Sequence, residues 1–198
     1  MKPCNPLSAF AVALAALAAL PAPALAQTTV YEFGQLISGD GAPANVNFAT
    51  LSATVVGNDI QFTLSAHSLN LFDGSQAFLS ALSIDGDKVG SITGVNGGAP
   101  VNMANGGGPG GGWDFRFDFT GAKKQRLTDN EVVTWTWVGG AGHFTGIGAH
   151  VQGIEYGEGN SAWYSAVAVP EPGAYAMFLS GLAVLGASAL RRRGKMRS

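Results

Sequence analysis

Three histidines are the first residues to test for chemistry in this 198-residue chain. His67 falls on the polar parity of an alternating run, and His143 sits in a glycine-rich stretch. His150 lies within Gly148-Ala149-His150-Val151-Gln152-Gly153-Ile154. No two of them have the His-x-x-x-His spacing that brings two imidazoles onto one metal. No serine occupies a Gly-x-Ser-x-Gly elbow. Asp85 and Asp87 offer oxygens to calcium across a turn, but the carboxylate-rich twelve-residue pattern of an EF-hand is missing, and a solvated turn is the simpler reading. Asp114 and Asp118 share one strand face, as a hydrolase would need, yet Arg116 between them makes a surface charge ladder. Asn105 to Gly112, with Pro109, lacks the Gly-Lys-Ser/Thr ending of a phosphate loop and leads straight into a strand, so a flexible surface loop is expected. Gly139 to Gly142 reads the same way. These residues point to no catalytic, metal or cofactor site, and the chain is not expected to be an enzyme.

The elements that would carry such residues are β-strands. Trp113-Asp114-Phe115-Arg116-Phe117-Asp118-Phe119 alternates aromatic and charged residues, which sets four aromatics on one face. Ile60, Phe62, Leu64 and Ala66 alternate with polar neighbours, as do Val133, Trp135 and Trp137 with Thr134 and Thr136. Further strands are predicted at Thr29 to Ile37, Phe48 to Val56, Phe78 to Ile84, Val89 to Thr93, Phe144 to Gln152 and Ala162 to Ala168. Gly57-Asn58 reads as a tight hairpin turn, and Asp85-Gly86-Asp87 as another. One helix is conceivable, at Gly74 to Leu82. Many short strands between turn signals predict a mainly β domain, an antiparallel β-sandwich of jelly-roll type.

Both ends of the chain differ from this middle. Lys2, the apolar run Leu7 to Leu20, the breakers Pro21 and Pro23, and Ala24-Leu25-Ala26 before Gln27 compose a secretory signal peptide, with signal peptidase cutting after Ala26. At the other end, Pro170-Glu171-Pro172 precedes the uncharged run Ala174 to Leu190, about 17 residues and at the short limit for crossing a bilayer as a helix. Arg191, Arg192 and Arg193 then form a basic stop that belongs on the cytoplasmic side. The division is therefore 1–26 signal peptide, 27–168 outer β domain and 169–198 tail with its membrane helix at 174–190. Between Gln27 and Val169, five Lys/Arg face twelve Asp/Glu, a net charge near −7 that argues against nucleic-acid binding. The single cysteine, Cys4, lies in the signal peptide, so the outer domain has no disulfide.

The order of Pro170-Glu171-Pro172, apolar run and arginine cluster resembles the PEP-CTERM sorting domain of Gram-negative bacteria. The resemblance implies processing by the membrane transpeptidase exosortase, and a link to exopolysaccharide and biofilm. Such proteins share the tail while their outer domains differ. Ala149-His150-Val151-Gln152-Gly153-Ile154, Ser161-Ala162-Trp163 and Phe33-Gly34-Gln35-Leu36-Ile37-Ser38-Gly39 are similar to outer domains that accompany this tail, and bring no activity with them.

The expected protein is exported, held for a time at the inner membrane, then passed to the cell surface or matrix as a structural protein. The alternative is a carbohydrate-binding module that retains exopolysaccharide. Tyr156, Trp163 and Tyr164 fall outside the best core patterns and are its candidate stacking residues. A hydrolase is the third reading.

Overall fold

The computed structural model describes residues 26–39, 42–72, 76–121, 125–156, 159–169, 179–183 and 185. Ten strands follow one another: β1 (Gln27–Ser38), β2 (Ala49–Val56), β3 (Asp59–Ala66), β4 (Phe78–Gly86), β5 (Ser91–Gly97), β6 (Asn102–Asn105), β7 (Phe115–Asp118), β8 (Val132–Val138), β9 (Phe144–Tyr156) and β10 (Gly159–Val169). All pair antiparallel, in the order β5-β8-β3-β2-β1-β10-β9-β4-β7-β6.

The β-rich expectation holds, but the architecture differs from a two-sheet sandwich. All ten strands belong to one continuous sheet, whose two edge strands, β5 and β6, approach each other. A long sheet twists and curls because each strand is rotated against the last. Here the curl brings β3 and β8 opposite β7, so that one sheet encloses its own core in a near-barrel.

Aromatic rings fill that core. Phe117 lies 5.8 Å from Phe62, 5.6 Å from Trp135 and 5.6 Å from Trp137 by ring centroids. Phe115 meets Trp137 edge-on at 5.4 Å, and Phe119 sits 5.6 Å from Trp135. A second cluster joins Phe48, Phe72 and Tyr164 in edge-to-face contacts of 4.8 to 5.7 Å. Three aromatics of the Trp113–Phe119 run face the core rather than four. β7 begins at Phe115, because the Asp114 amide donates to the Ile84 carbonyl and ends the alternation there. Trp113 stays half-buried on the outside.

The Gly57-Asn58 hairpin forms as expected, with Val56 opposite Asp59 and Gly57 at φ 65°. Asp85-Gly86-Asp87 is not a hairpin turn. β4 pairs with β9 and β7 while β5 pairs with β8, so the chain crosses the molecule there. Phe78 to Leu82 is strand rather than helix, fixed by neighbours on both sides. The edge strand β6 has no alternation of its own, and its pairing to β7 creates it.

Among the described residues no helix is long and apolar enough to cross a membrane. Residues 179–183 are helical, and Leu179, Leu182 and Leu185 are exposed. The rest of the predicted span, with Pro170, Glu171, Pro172 and Arg191 to Arg193, lies outside the described residues, as does Ala24. Ala26 is exposed and Gln27 opens β1.

Candidate functional site

The outer surface of β10, β9, β4 and β7 carries a hollow of about 350 Å³. Its shape follows from register. Trp163 pairs with His150, His150 with Ala81, and Ala81 with Asp118, so these four stand in one row across four strands. The next row is Ser165, Gly148, Ser83 and Arg116. Ala81, with Ser80 and Gly107 beside it, makes a floor of small residues. Trp163 and His150 rise on one side of it, Arg116 and Asp118 on the other.

The walls are built from specific contacts. The rings of Trp163 and His150 stack at 4.0 Å with 7° between their planes. The Arg116 guanidinium donates through Nε to Asp118 Oδ1 at 2.6 Å. A β-bulge lies between Leu79 and Ala81, and its extra residue is Ser80. Bulges re-aim side chains. This one carries the Ser80 hydroxyl to 2.8 Å from His150 Nδ1, and it donates to the His150 carbonyl at 3.2 Å. Burial, joined by the Arg116 charge and opposed by Asp118, lowers the His150 pKa to about 4. The imidazole is therefore uncharged at neutral pH.

The glycine-rich stretch before Trp113 is part of this site, and packs rather than standing free in solvent. Ser83 Oγ donates to the Gly107 carbonyl, and Arg116 Nη1 donates to Gly106 O at 3.1 Å. A Cβ on Gly107, which has φ 110°, would fall 2.5 Å from Arg116 Nη1, and one on Gly108 would strike the Trp113 ring. Trp113 in turn lies over Gly148, whose missing side chain leaves room for the indole. The signal for this was present as glycines flanking a tryptophan, but its target strand is remote in sequence.

The three proposed stacking residues separate. Trp163 is in the site. Tyr164 is not, because neighbouring strand residues face opposite sides. It is fully buried, and its hydroxyl donates to the Pro43 carbonyl at 3.0 Å. Tyr156 ends β9 opposite Gly159, and its side chain lies outside the described residues.

Of the other histidines, His67 bonds Asn47 at 3.2 Å, and His143 meets Asp87 at 3.3 Å on the surface. Asp85 accepts from Thr145 at 2.9 Å. Asp114 accepts from the Gly86 amide at 2.8 Å and Asp118 from Arg116, so the two aspartates are engaged separately. Among the described residues no group of three or more His, Cys, Asp or Glu could hold a metal.

Residues 168–193 match the family model of the PEP-CTERM protein-sorting motif. The match identifies the tail as a sorting signal of exported proteins, with exosortase as processing partner. Comparison with curated proteins and with solved structures gives no match.

Proposed function

We propose that this exported, exosortase-sorted protein serves at the cell surface or in the matrix by holding carbohydrate on the outer face of its curled sheet. The observation that carries this reading is the Trp163–His150 ring pair standing across a small-residue floor from the Arg116–Asp118 pair. An indole beside fixed donors and acceptors suits a sugar, which has an apolar ring face and hydroxyl edges. The hollow's volume lies in the range of small-ligand sites. Exopolysaccharide is the natural ligand for a protein delivered by this sorting signal.

The reading is one of binding without catalysis. Ser80 lines the hollow but is almost fully buried, and its hydroxyl is engaged with His150 and donates to the His150 carbonyl. The test is retention of the purified protein in gels containing polysaccharide, with Trp163→Ala as the decisive variant. Trp163 is only half-buried, so its removal should leave the fold intact and weaken binding at least about tenfold, or ~1.4 kcal/mol. Unchanged retention of that variant would remove Trp163 from the site.

A further inference from the structure

The groove does not end at the Trp163–His150 row. A second hollow, of about 530 Å³, follows along β9 and is lined by Phe78, Arg126, Gly153, Glu155 and Asn160. Gln152 borders both hollows. Gly148, His150 and Gln152 occupy alternate positions on the outer face of β9, so their side-chain positions advance by about 6.8 Å each along the strand. The Arg126 guanidinium lies 4.3 Å above the Phe78 ring, which places a cation on the wall of the second hollow. The two hollows form one track along a single strand.

The charges on this track differ from those of the domain around it. Between Gln27 and Val169 the formal charge is five minus twelve, or −7. The first hollow has one guanidinium, Arg116, and one carboxylate, Asp118. The second has Arg126 and Glu155. Each therefore sums to zero, and His150 adds no charge at neutral pH. Guanidinium groups donate, carboxylates accept, and Gln152, Asn160 and Ser161 do both. That mixture matches hydroxyl groups. A polyanion would meet a carboxylate in each hollow and the negative field of the whole domain. A polycation would meet a guanidinium in each.

We propose that the groove takes a neutral polysaccharide chain, running along β9 and spanning both hollows. The proposal rests on the carbohydrate reading of the first hollow, and adds the ligand's charge class and its length.

The experiment uses the full-length chain in detergent. Affinity electrophoresis and calorimetry compare neutral glucans, mannans and xylans with polygalacturonate and alginate, and then compare neutral oligosaccharides of increasing length. The expected result is binding to a neutral series that survives ~1 M salt, where the Debye length falls to about 3 Å. Affinity should rise with chain length. Arg126→Gln should flatten that rise at least about tenfold for long oligosaccharides while leaving the shortest ligands unaffected, and Glu155→Gln should act in the same direction. Near-ultraviolet circular dichroism checks that both variants keep the wild-type fold, and two variants guard against loss of one to misfolding. Salt-sensitive binding to polyanions alone would overturn the neutral class and leave the carbohydrate reading standing. Neutral binding with no gain from length would overturn the two-hollow track. No binding to any polysaccharide would overturn both this proposal and the reading beneath it.

Discussion

Phe117→Ala is the sharpest test of the near-barrel core. Phe117 is fully buried on β7 and touches rings on two strands from the opposite end of the sheet, Phe62 of β3 and Trp135 and Trp137 of β8. It also meets Phe115 edge-on at 5.5 Å. A Phe→Ala change in a core costs roughly 3–5 kcal/mol, and the cost grows with the cavity that survives. The neighbours here are large rings held by two strands each, which cannot collapse into the gap without moving the sheet. The upper part of that range, ~4–5 kcal/mol, is the expected loss. It is a large share of a typical stability of about 5–15 kcal/mol. Urea unfolding followed by tryptophan fluorescence measures it, since Trp135 and Trp137 line the cavity. A loss below ~1 kcal/mol would mean that the curl does not bring β7 against β3 and β8, and the description of the core would fail.

Three further outcomes follow from named contacts. Trp137 Nε1 donates to the Val89 carbonyl at 2.7 Å, whereas buried Trp135 Nε1 has no partner among the described residues. Trp137→Phe should therefore cost about 1 kcal/mol more than Trp135→Phe in the same unfolding assay, and the reverse order would contradict the bonding pattern. The His150 pKa is lowered in the folded state, so the unfolded chain binds the proton first as pH falls. That contribution is complete above about pH 6.5 and is lost progressively toward pH 4, and His150→Gln should flatten the stability profile across this window. Glu171→Ala should leave export intact but accumulate a longer, membrane-held form, and replacing Arg191, Arg192 and Arg193 by Ala should weaken retention before processing. Apparent mass and membrane partition in a host with an exosortase report both, and normal trimming of the Glu171 variant would refute its role as the recognised carboxylate.

What the sequence disclosed and what it withheld divide along the range of the interaction. The β2–β3 hairpin was legible because its alternation and its Gly57 turn are both local. Phe115, Phe117 and Phe119 were legible as core for the same reason. Strand neighbours were not, because the pairing of β1 with β10 and of β4 with β9 and β7 is decided by contacts far apart in the chain. That is why the nine strands legible in the sequence suggest a sandwich when, with β6, they form one sheet. His150 looked isolated because its partners are Ser80, Arg116 and Trp163, each on a different strand, and only register sets them side by side. Trp163 and Tyr164 are both candidate stacking residues from the sequence, although the period of two that identifies the other strands places them on opposite faces. Trp113 was counted into the core because alternation shows parity but not where pairing stops.

The pairing of β1 with β10 bears on the order of events at the membrane. Val30 lies opposite Val169, and Gln27 begins β1 while Val169 ends β10. The first strand to emerge during export thus waits for the last before it gains its second neighbour. The sorting motif begins at residue 168, within β10, so no spacer separates it from the final sheet residue. A chain that fails to seat β10 would carry its sorting motif on an unpaired strand beside the open edge of β1. Because β1 starts where β10 stops, on adjacent strands about 4.8 Å apart, the first and last strands of the sheet meet at one pole of the domain.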